Sequence, residues 1–425
     1  MITTHTKISE HRASSRLWVE SHRLSQLGFE PGQRLAVDTL SDRLRITPDD
    51  TGPYTVSYKR ANGIQRPVLD INSDDSLRPL VGFEEATLRG SHRQLIVKPS
   101  VRATHIRKAQ LFSGDVRVLD LFAGAGSLSF AASSVEGVSI VGGVEHDPSF
   151  ADIWCKRHTG AELILSDISR VRPEDLPDAD LWQIGLPCTS HSTQGRAKKK
   201  LAGRPEDGDS GWLFAPTLSL IAARMPTAVL IENVPAFQGS LAHSTITSTL
   251  KALGYHVSET VLEPHAEWGE ITDRRRWVLT ASLKGPFEIE SPGIACSFKL
   301  SEFLDPADDA RDKHDCDRIR NTITGLQAKA EVHSERGNGW RVVSVDGACD
   351  KVPTIQKSYH KINMSGAFVK TAHGLRLFRK SELERIHGWI VDTPSESTAI
   401  QAIGQGVLAR VFSNVVEQIK NHLNT

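Results

Sequence analysis

The chain has 425 residues, more than one ordinary domain contains, and this length predicts two or three folded units. Its 51 basic and 51 acidic side chains cancel, which excludes a protein that coats nucleic acid through its overall charge. Any nucleic-acid surface must therefore be a local patch. A hydrophobic content of 39% and a charged content of 24% are typical of a soluble globular protein.

Cysteine usage and the N-terminus bear on the cellular compartment. The five cysteines form no Cys-x-x-Cys pair, so neither a disulfide framework nor a zinc site is predicted. Residues 1–16 lack the apolar core of a signal peptide, and no apolar run is long enough to span a bilayer. We expect a cytoplasmic, nucleoid-associated protein without a metal or a membrane partner.

Residues 1–110 differ in character from the rest of the chain. They carry 17 Lys and Arg against 12 Asp and Glu, a local excess of positive charge. A weak internal repeat relates residues 28–48 to residues 82–99, since both copies open with Gly-Phe-Glu and end in a strand-like run before proline. The repeat resembles the AbrB/SymE-like swapped-hairpin barrel, which implies a two-part β unit, DNA binding and dimerisation through this unit. The alternative is a β-rich accessory domain with another role.

Short apolar runs alternate with helix-like stretches between residues 111 and 284. Five runs carry few charges, as do strands that are buried on both faces of a parallel sheet. Between them, residues 148–158 begin with proline and residues 244–254 end with glycine, as helices do. The alternation predicts a doubly wound, mostly parallel α/β sheet with a late hairpin at 254–262 and 275–283. The five predicted strands are 116–122, 139–145, 161–167, 181–186 and 227–234.

Polar residues close these strands, at the edge where open α/β sheets bind ligands. After Asp120, the run Phe-Ala-Gly-Ala-Gly at 122–126 lets the backbone approach a ligand closely. The third glycine of a dinucleotide fingerprint is absent, and a glycine turn also occurs without any ligand. Glu145 suits a ribose diol and Asp167 suits an exocyclic amine, although either could simply cap a helix.

The most informative residue is Cys188, which follows Pro187 at the end of a predicted buried strand. There it would project into the ligand crevice, although a single cysteine is more often a small buried hydrophobe. Glu232 closes the next strand, and period two places Arg274 and Arg276 on one side of the following one. The basic segment 194–204 suits a phosphate backbone, although by itself it would be ordinary solvated surface.

These motifs occur in the order found in DNA cytosine-5 methyltransferases, and the chain resembles that family over residues 115–425. The resemblance implies a class I, Rossmann-like fold that uses S-adenosyl-L-methionine (AdoMet) to methylate carbon 5 of a flipped-out cytosine in double-stranded DNA. It also implies a restriction–modification enzyme with a cognate restriction endonuclease, or a solitary or phage-borne enzyme. The matching segments are DLFAGAG (120–126), VEHD (144–147), SDIS (166–169), GLPC (185–188), ENV (232–234), RRR (274–276), LRLFRKSELERIHGW (375–389) and IGQGV (403–407).

The resemblance also implies roles for the matched residues. Cys188 attacks carbon 6, Glu232 holds N3 and the exocyclic amine, and Asn233 braces the cysteine loop. Arg276, with Arg274, binds the base carbonyl or a phosphate and lowers the thiol pKa. The implied AdoMet-binding residues are Asp120, Phe122, Ala123, Gly124, Gly126, Glu145, His146, Asp167, Ile168, Pro187, Gln405 and Val407. The implied DNA contacts are Arg196, Lys198, Lys199, Lys200 and Arg204.

By this resemblance, the catalytic domain comprises residues 111–284 and 371–425. Residues 285–370 become a target-recognition region that reads the major groove; its first part, to about 350, reads as polar and irregular. Helices are predicted again at 375–389 and 400–423. Four residues depart from the family pattern and put cofactor affinity, turnover and substrate range in question: Ser127, Thr189, Thr272 and Gln405.

Three other functions compete with this interpretation. The tRNA-directed branch of the family carries a late Cys-Phe-Thr signature, which is absent here. A DNA-binding transcriptional regulator with reduced or lost catalysis would use the N-terminal repeat, but the retained Cys188, Glu232 and Arg276 argue against it. A small-molecule methyltransferase would leave the Pro-Cys, the ENV and the basic segment unexplained.

Overall fold

The structure is a computed structural model that describes residues 2–21, 23–61, 64–188, 210–335, 341–363 and 366–425. The chain divides into two units, Met1–Leu111 and Phe112–Thr425. Within the described residues, no helix is long and apolar enough to cross a bilayer.

The first unit is a nine-stranded antiparallel sheet in the order β5-β3-β4-β9-β8-β1-β2-β7-β6. Alternation along its strands separates a core face from an exposed face, as Leu17 and Val19 of β2 show. The strands are β1 Ile2–His11, β2 Ser14–Glu20, β3 Arg34–Thr39, β4 Leu44–Pro48, β5 Tyr54–Thr55, β6 Ser57–Ala61, β7 Ile64–Asn72, β8 Glu85–Ser91 and β9 Gln94–Pro99. The helices are α1 Arg23–Gln26, α2 Asp74–Leu77 and α3 Val101–Gln110.

The internal repeat of the sequence is also a structural repeat. Each half runs hairpin, short helix, hairpin: β1–β2, α1 and β3–β4, then β6–β7, α2 and β8–β9. Equivalent strands pair with each other, β2 with β7 and β4 with β9. Gly28 and Gly82 precede the second hairpin of each half at φ of 83° and 80°, where glycine avoids the strain of a side chain. The likeness to AbrB/SymE-like proteins stays a prediction.

The second unit contains a seven-stranded sheet in the order β12-β11-β10-β13-β14-β16-β15. Strands β10 to β14 are parallel, and the β15–β16 hairpin adds antiparallel strands at one edge. The predicted doubly wound, mostly parallel α/β sheet and its late hairpin are therefore confirmed. The strands are β10 Val116–Leu121, β11 Val138–Glu145, β12 Glu162–Leu165, β13 Leu181–Gly185, β14 Ala228–Asn233, β15 His256–Leu262 and β16 Arg276–Ser282.

Helices flank this sheet, and one predicted helix is in fact two. The predicted helix at 400–423 is interrupted at Gly406, where the backbone is extended. The second of the two helices buries Val415, Val416 and Ile419, so it packs on the core. The helices are α4 Ser127–Ser133, α5 Pro148–Arg157, α6 Phe214–Arg224, α7 Leu241–Leu253, α8 Pro264–Glu267, α9 Asp309–Glu335, α10 Lys380–His387, α11 Glu396–Gln405 and α12 Ala409–Asn424.

The region 285–370 is more regular than its sequence predicts. Helix α9 runs for 27 residues through the stretch expected to be irregular. Its buried apolar residues are Cys316, Ile319 and Ile323, a stripe too narrow to give a clear helical period. A three-stranded sheet follows, formed by β17 Val343–Val345, β18 Ala367–Thr371 and β19 Gly374–Arg376. The predicted helix start at 375 is wrong, because β19 occupies that position and α10 begins at Lys380.

A buried ion network fastens the first turns of α9 to α10. Glu382 is fully buried and accepts hydrogen bonds from Nη1 and Nη2 of Arg376, both at 2.8 Å. It also accepts from the backbone N–H groups of Asp305 and Arg379, at 3.0 and 2.8 Å. Asp312 of α9 accepts from Arg376 and Arg379 at 3.0 and 2.8 Å. Loss of one partner from such a network leaves buried charge unpaired.

We predict that Glu382→Gln lowers the free energy of unfolding by about 3 kcal/mol, because Arg376 loses its bidentate partner in a buried setting. Urea denaturation followed by circular dichroism measures the change. The exposed Glu417→Gln on α12 serves as the matched control and should stay within about 0.5 kcal/mol of wild type. Equal stabilities of the Glu382 variant and the control would contradict a stabilising role for the network.

Candidate active site

The carboxyl ends of β11, β10, β13 and β14 lie side by side, because these strands are neighbours in the parallel sheet. The predicted cofactor loop follows β10, and Cys188 follows β13. Glu232 of β14 is paired in register with Gly185 of β13. The sheet therefore brings the predicted cofactor residues and the predicted catalytic residues to one edge.

Glu232 and Arg276 form an ion pair beside the cysteine. Arg276 Nε lies 2.6 Å from Glu232 Oε1, and the two side chains are only 12% and 13% exposed. Burial raises the pKa of the Cys188 thiol, while the positive charge of Arg276 opposes this rise. Glu232 raises the same pKa and Arg274 lowers it, so all three charges act on the sulfur. The cysteine thus lies among the groups that the sequence assigned to it.

Asn233 makes the bracing contact expected from the sequence. Its Nδ2 donates to the carbonyl of Leu186, two residues before Cys188, at 3.3 Å. Its Oδ1 accepts the N–H of Val234 at 2.8 Å. Because the side chain is buried and both of its polar atoms are bonded within the protein, it can fix the backbone that leads to the cysteine.

Arg274 is placed differently from the sequence expectation. Strand β16 begins at Arg276, so strand periodicity is not what places Arg274. It is 2% exposed, and its Nε, Nη1 and Nη2 donate to the carbonyls of Gly406, Ile355 and Gly404 at 2.8, 2.8 and 2.9 Å. Each guanidinium nitrogen therefore binds backbone.

The loop after β10 forms a cradle with one open side. Phe122, Gly124 and Gly126 all have left-handed backbones, with φ of 59°, 55° and 87°. A Cβ added at Gly126 would lie 2.9 Å from Trp154 Cδ1, so packing requires a glycine there. A Cβ added at Gly124 would meet nothing within 4 Å. Ala123, between them, is buried. The open side at Gly124 leaves room for a ligand to approach the backbone.

Two acidic side chains lie at the carboxyl ends of the neighbouring strands β11 and β12. Glu145, 5% exposed, accepts the N–H groups of Gly124, His146 and Asp147 at 2.7, 2.8 and 2.7 Å. A carboxylate has about four acceptor sites, so one remains for a ligand hydroxyl. Asp167 accepts the N–H and the hydroxyl of Ser169, and the hydroxyl contact holds the pKa of Asp167 below its usual value. Glu145 beside the open glycine and Asp167 after the next strand offer acceptors that suit the ribose and the amine of a nucleoside.

The other predicted cofactor residues differ in their exposure to solvent. His146 is largely exposed beside Glu145, whereas Ile168 is buried and Pro187 is half-buried. Gln405 is exposed, and its Oε1 accepts a hydrogen bond from Lys357 at 3.1 Å. Val407 is buried, and its N–H donates to Ser127 Oγ at 3.1 Å. The sequence did not predict Lys357 or Ser127 as a hydrogen-bond partner, although Ser127 was identified as a departure from the family pattern.

Asp120 lies beneath the cradle, not at its surface. It is fully buried, and its Oδ2 accepts the hydroxyl of Ser129, which in turn accepts the Trp154 indole N–H at 2.9 Å. Its Oδ1 has no partner among the described residues, and neither does the side-chain amide of Gln183, its neighbour in register on β13. Burial raises the pKa of Asp120 to about 7. The placement favours a supporting role under the loop.

The remaining positions named from the sequence are not shown to take part in this site. Thr272 is buried, and its hydroxyl has no partner within the described part of the chain. Thr189 lies outside the described residues, as do all five residues expected to contact DNA: Arg196, Lys198, Lys199, Lys200 and Arg204.

Comparisons with known proteins agree on one family. The family profile described as "C-5 cytosine-specific DNA methylase" matches residues 116–421. The type II methyltransferase M.MspI of Moraxella sp. is 26% identical over 76% of this chain and 75% of its own length. A tRNA (cytosine(38)-C(5))-methyltransferase of Schizosaccharomyces pombe is 22% identical over 73% of this chain and 98% of its own. The structure of the Entamoeba histolytica methyltransferase EhMeth is similar in fold, with a TM-score of 0.59, 19% identity, and coverage of 73% and 99% of the two chains.

We predict that Asp120→Asn changes how stability depends on pH. The folded state binds the Asp120 proton more tightly than the unfolded chain, so ionisation of this group costs stability as the pH rises from about 4 to about 7. The variant avoids that cost and keeps an oxygen for Ser129. Its free energy of unfolding relative to wild type should therefore be higher at pH 8 than at pH 5, by a few kcal/mol. Urea denaturation at both pH values measures this, with the exposed Asp115→Asn as control; an unchanged difference would contradict it.

Proposed function

This chain belongs to the C-5 cytosine-specific DNA methylase family and is a DNA cytosine-5 methyltransferase. From that premise we propose that Cys188 is its nucleophile and that its substrate is a flipped-out cytosine in a specific sequence of double-stranded DNA. The observation that carries the proposal is the cluster of Cys188, Glu232 and Arg276 beside the loop that follows β10. Such a cluster supplies a nucleophile, an acceptor for ring protons and a cation in one place.

The chemistry assigns a step to each group. Cytosine carbon 5 is a weak nucleophile, and attack of the Cys188 thiolate on carbon 6 makes carbon 5 enamine-like. Glu232 holds N3 and the exocyclic amine, which favours the protonated ring during attack. Arg276 keeps Glu232 in place and stabilises the thiolate. AdoMet, when bound, supplies an electrophilic methyl group. A base then removes the proton from carbon 5, the bond between carbon 6 and sulfur breaks, and Cys188 leaves as the thiolate, which restores the aromatic ring.

The target carbon is inaccessible inside a duplex, so the nucleotide must leave the base stack, at a cost of a few kcal/mol. The residues proposed to close over the extruded base are the basic segment that includes Arg196, Lys198, Lys199, Lys200 and Arg204. Their positive charge supports this role, because phosphate contacts dominate the affinity of proteins for DNA. Residues 285–370, with helix α9, are the proposed target-recognition region.

AdoMet is the proposed methyl donor, because the family and the fold imply it and the cradle fits it. Glu145 and Asp167 would bind the nucleoside, and the loop at Phe122–Gly126 would pass beside the rest of the molecule. His146, Ile168, Pro187, Gln405 and Val407 complete the proposed pocket. Asp120 would support the loop from below.

The cellular role is proposed from the relatives. M.MspI is named as a type II methyltransferase, so we propose a restriction–modification role with a cognate endonuclease, against the alternative of a solitary or phage-borne enzyme. Action on DNA would place the protein at the nucleoid.

Residues 1–110 precede the matched segment 116–421, and their proposed DNA binding and dimerisation rest on the repeat and the local positive charge.

We predict that wild-type protein transfers labelled methyl groups from AdoMet to unmethylated DNA of mixed sequence, whereas Cys188→Ala transfers none above background. Cys155→Ala, an exposed cysteine on α5, is the matched control and should keep wild-type activity. Digestion of the product should yield 5-methylcytosine. Label in tRNA but not in DNA would favour the RNA-directed alternative, and operator binding without methyl transfer to either would favour the regulator.

We predict that Arg276→Gln moves the titration of Cys188 to higher pH, because the cation that most opposes the effect of burial on the thiol pKa is gone. The rate of iodoacetamide alkylation at Cys188, measured against pH by peptide mass spectrometry, reports the thiolate. Arg275→Gln is the matched control, since Arg275 is half exposed and pairs with Glu263. Identical titration curves for the two variants would contradict the role given to Arg276.

A further inference from the structure

A four-residue segment, which runs from the last turn of α11 into the connection to α12, binds to both halves of the active site. We call residues 404–407 the C-terminal tie. On one side, the carbonyls of Gly404 and Gly406 accept hydrogen bonds from Arg274, one of the charges that act on Cys188. On the other side, the Val407 N–H donates to Ser127, which directly follows Gly126 of the cofactor loop. The tie therefore connects the base side of the site to the cofactor side.

The C-terminal tie is closely packed against its neighbours. A Cβ added at Gly404 would lie 2.4 Å from the carbonyl carbon of Gln356, and one at Gly406 would lie 2.9 Å from both Cβ and Oγ of Ser127. Gly406 has a φ of −67°, which any residue adopts, so close approach and not backbone conformation requires glycine there. A segment packed this closely transmits displacement instead of absorbing it.

Arg274 is suited to hold the tie because of the shape of its side chain. A buried charge is costly unless its donors are satisfied, and here Nε, Nη1 and Nη2 each reach a separate carbonyl. The third carbonyl belongs to Ile355, so the same guanidinium also fastens the segment that leads out of the region 285–370. Lysine carries the same charge on one nitrogen and lacks the planar fork that spans three acceptors.

We propose that Arg274 is a positioning residue that fixes the AdoMet pocket from the base side, acting through the C-terminal tie and Ser127. The inference rests on the proposed function, since Gln405 and Val407 of the tie belong to the proposed AdoMet pocket. Arg274 thus aligns the two pockets without touching either substrate.

The test compares three variants by their dissociation constants for AdoMet, measured by calorimetry without DNA. Ser127→Ala removes the acceptor for Val407 and should weaken AdoMet binding about threefold to tenfold. Arg274→Lys keeps the charge but loses the fork, and should weaken binding by at least tenfold, since several hydrogen bonds are lost. Ser133→Ala, on the same helix α4, is the matched control, because among the described residues its hydroxyl bonds only to the Phe130 carbonyl within that helix.

Two further measurements separate positioning from general damage. The KM for DNA should change less than twofold in Ser127→Ala. In the double variant that combines Ser127→Ala with Arg274→Lys, the loss of AdoMet affinity should be smaller than the product of the two single losses, because both substitutions act on one segment. Should Arg274→Lys fail to fold in a thermal melt, Ser127→Ala against Ser133→Ala still decides the matter. Equal AdoMet affinities in that pair would overturn the proposal, as would an Arg274→Lys effect confined to DNA.

The same experiment distinguishes failure of this inference from failure of the proposed function. AdoMet binding is measured without DNA, so normal binding by wild type with no methyl transfer to DNA would count against the proposed function alone. Absence of AdoMet binding by wild type would overturn both.

Discussion

The active site depends on the parallel pairing of β10 with β11 on one side and β13 on the other. That pairing puts the cofactor cradle between Glu145 and Cys188, with Glu232 one strand further along. These residues are far apart in the sequence and have no local reason to meet. Their assembly is a property of the sheet, stabilised by apolar residues that are buried on both of its faces.

Around this edge, the structure balances a few buried charges against one another. Burial would keep the Cys188 thiol protonated, and the nearby arginines oppose that tendency while Glu232 supports it. Glu232 in turn is held by Arg276, so one ion pair sets both the proposed acceptor for the base and the electric field at the sulfur. Arg274 satisfies its own charge on backbone carbonyls and leaves the carboxylate to its neighbour. Arg276 therefore holds the Glu232 carboxylate, whereas Arg274, two residues before it, holds backbone carbonyls.

Much of this was predictable from the sequence. The five strands and the residues that close them could be read because buried parallel strands give short runs of apolar residues. Helix α9 could not, because only a narrow stripe of its surface is buried and charged residues cover the rest. The partners of Arg274 could not either, since they are carbonyls of residues 81 to 132 positions away, and a carbonyl leaves no mark in a sequence. The need for glycine at 404 and 406 could not be predicted either, because it comes from close packing against distant residues and not from a turn.

The two-part architecture of residues 1–110 has a consequence for thermodynamics. Where two such halves belong to separate chains, their pairing is an association, and the folded state weakens on dilution. Here β2 pairs with β7 and β4 with β9 inside a single polypeptide. The pairing of the two halves is therefore unimolecular, and dilution does not separate them. The fusion also allows the sequence of each half to change independently of the other.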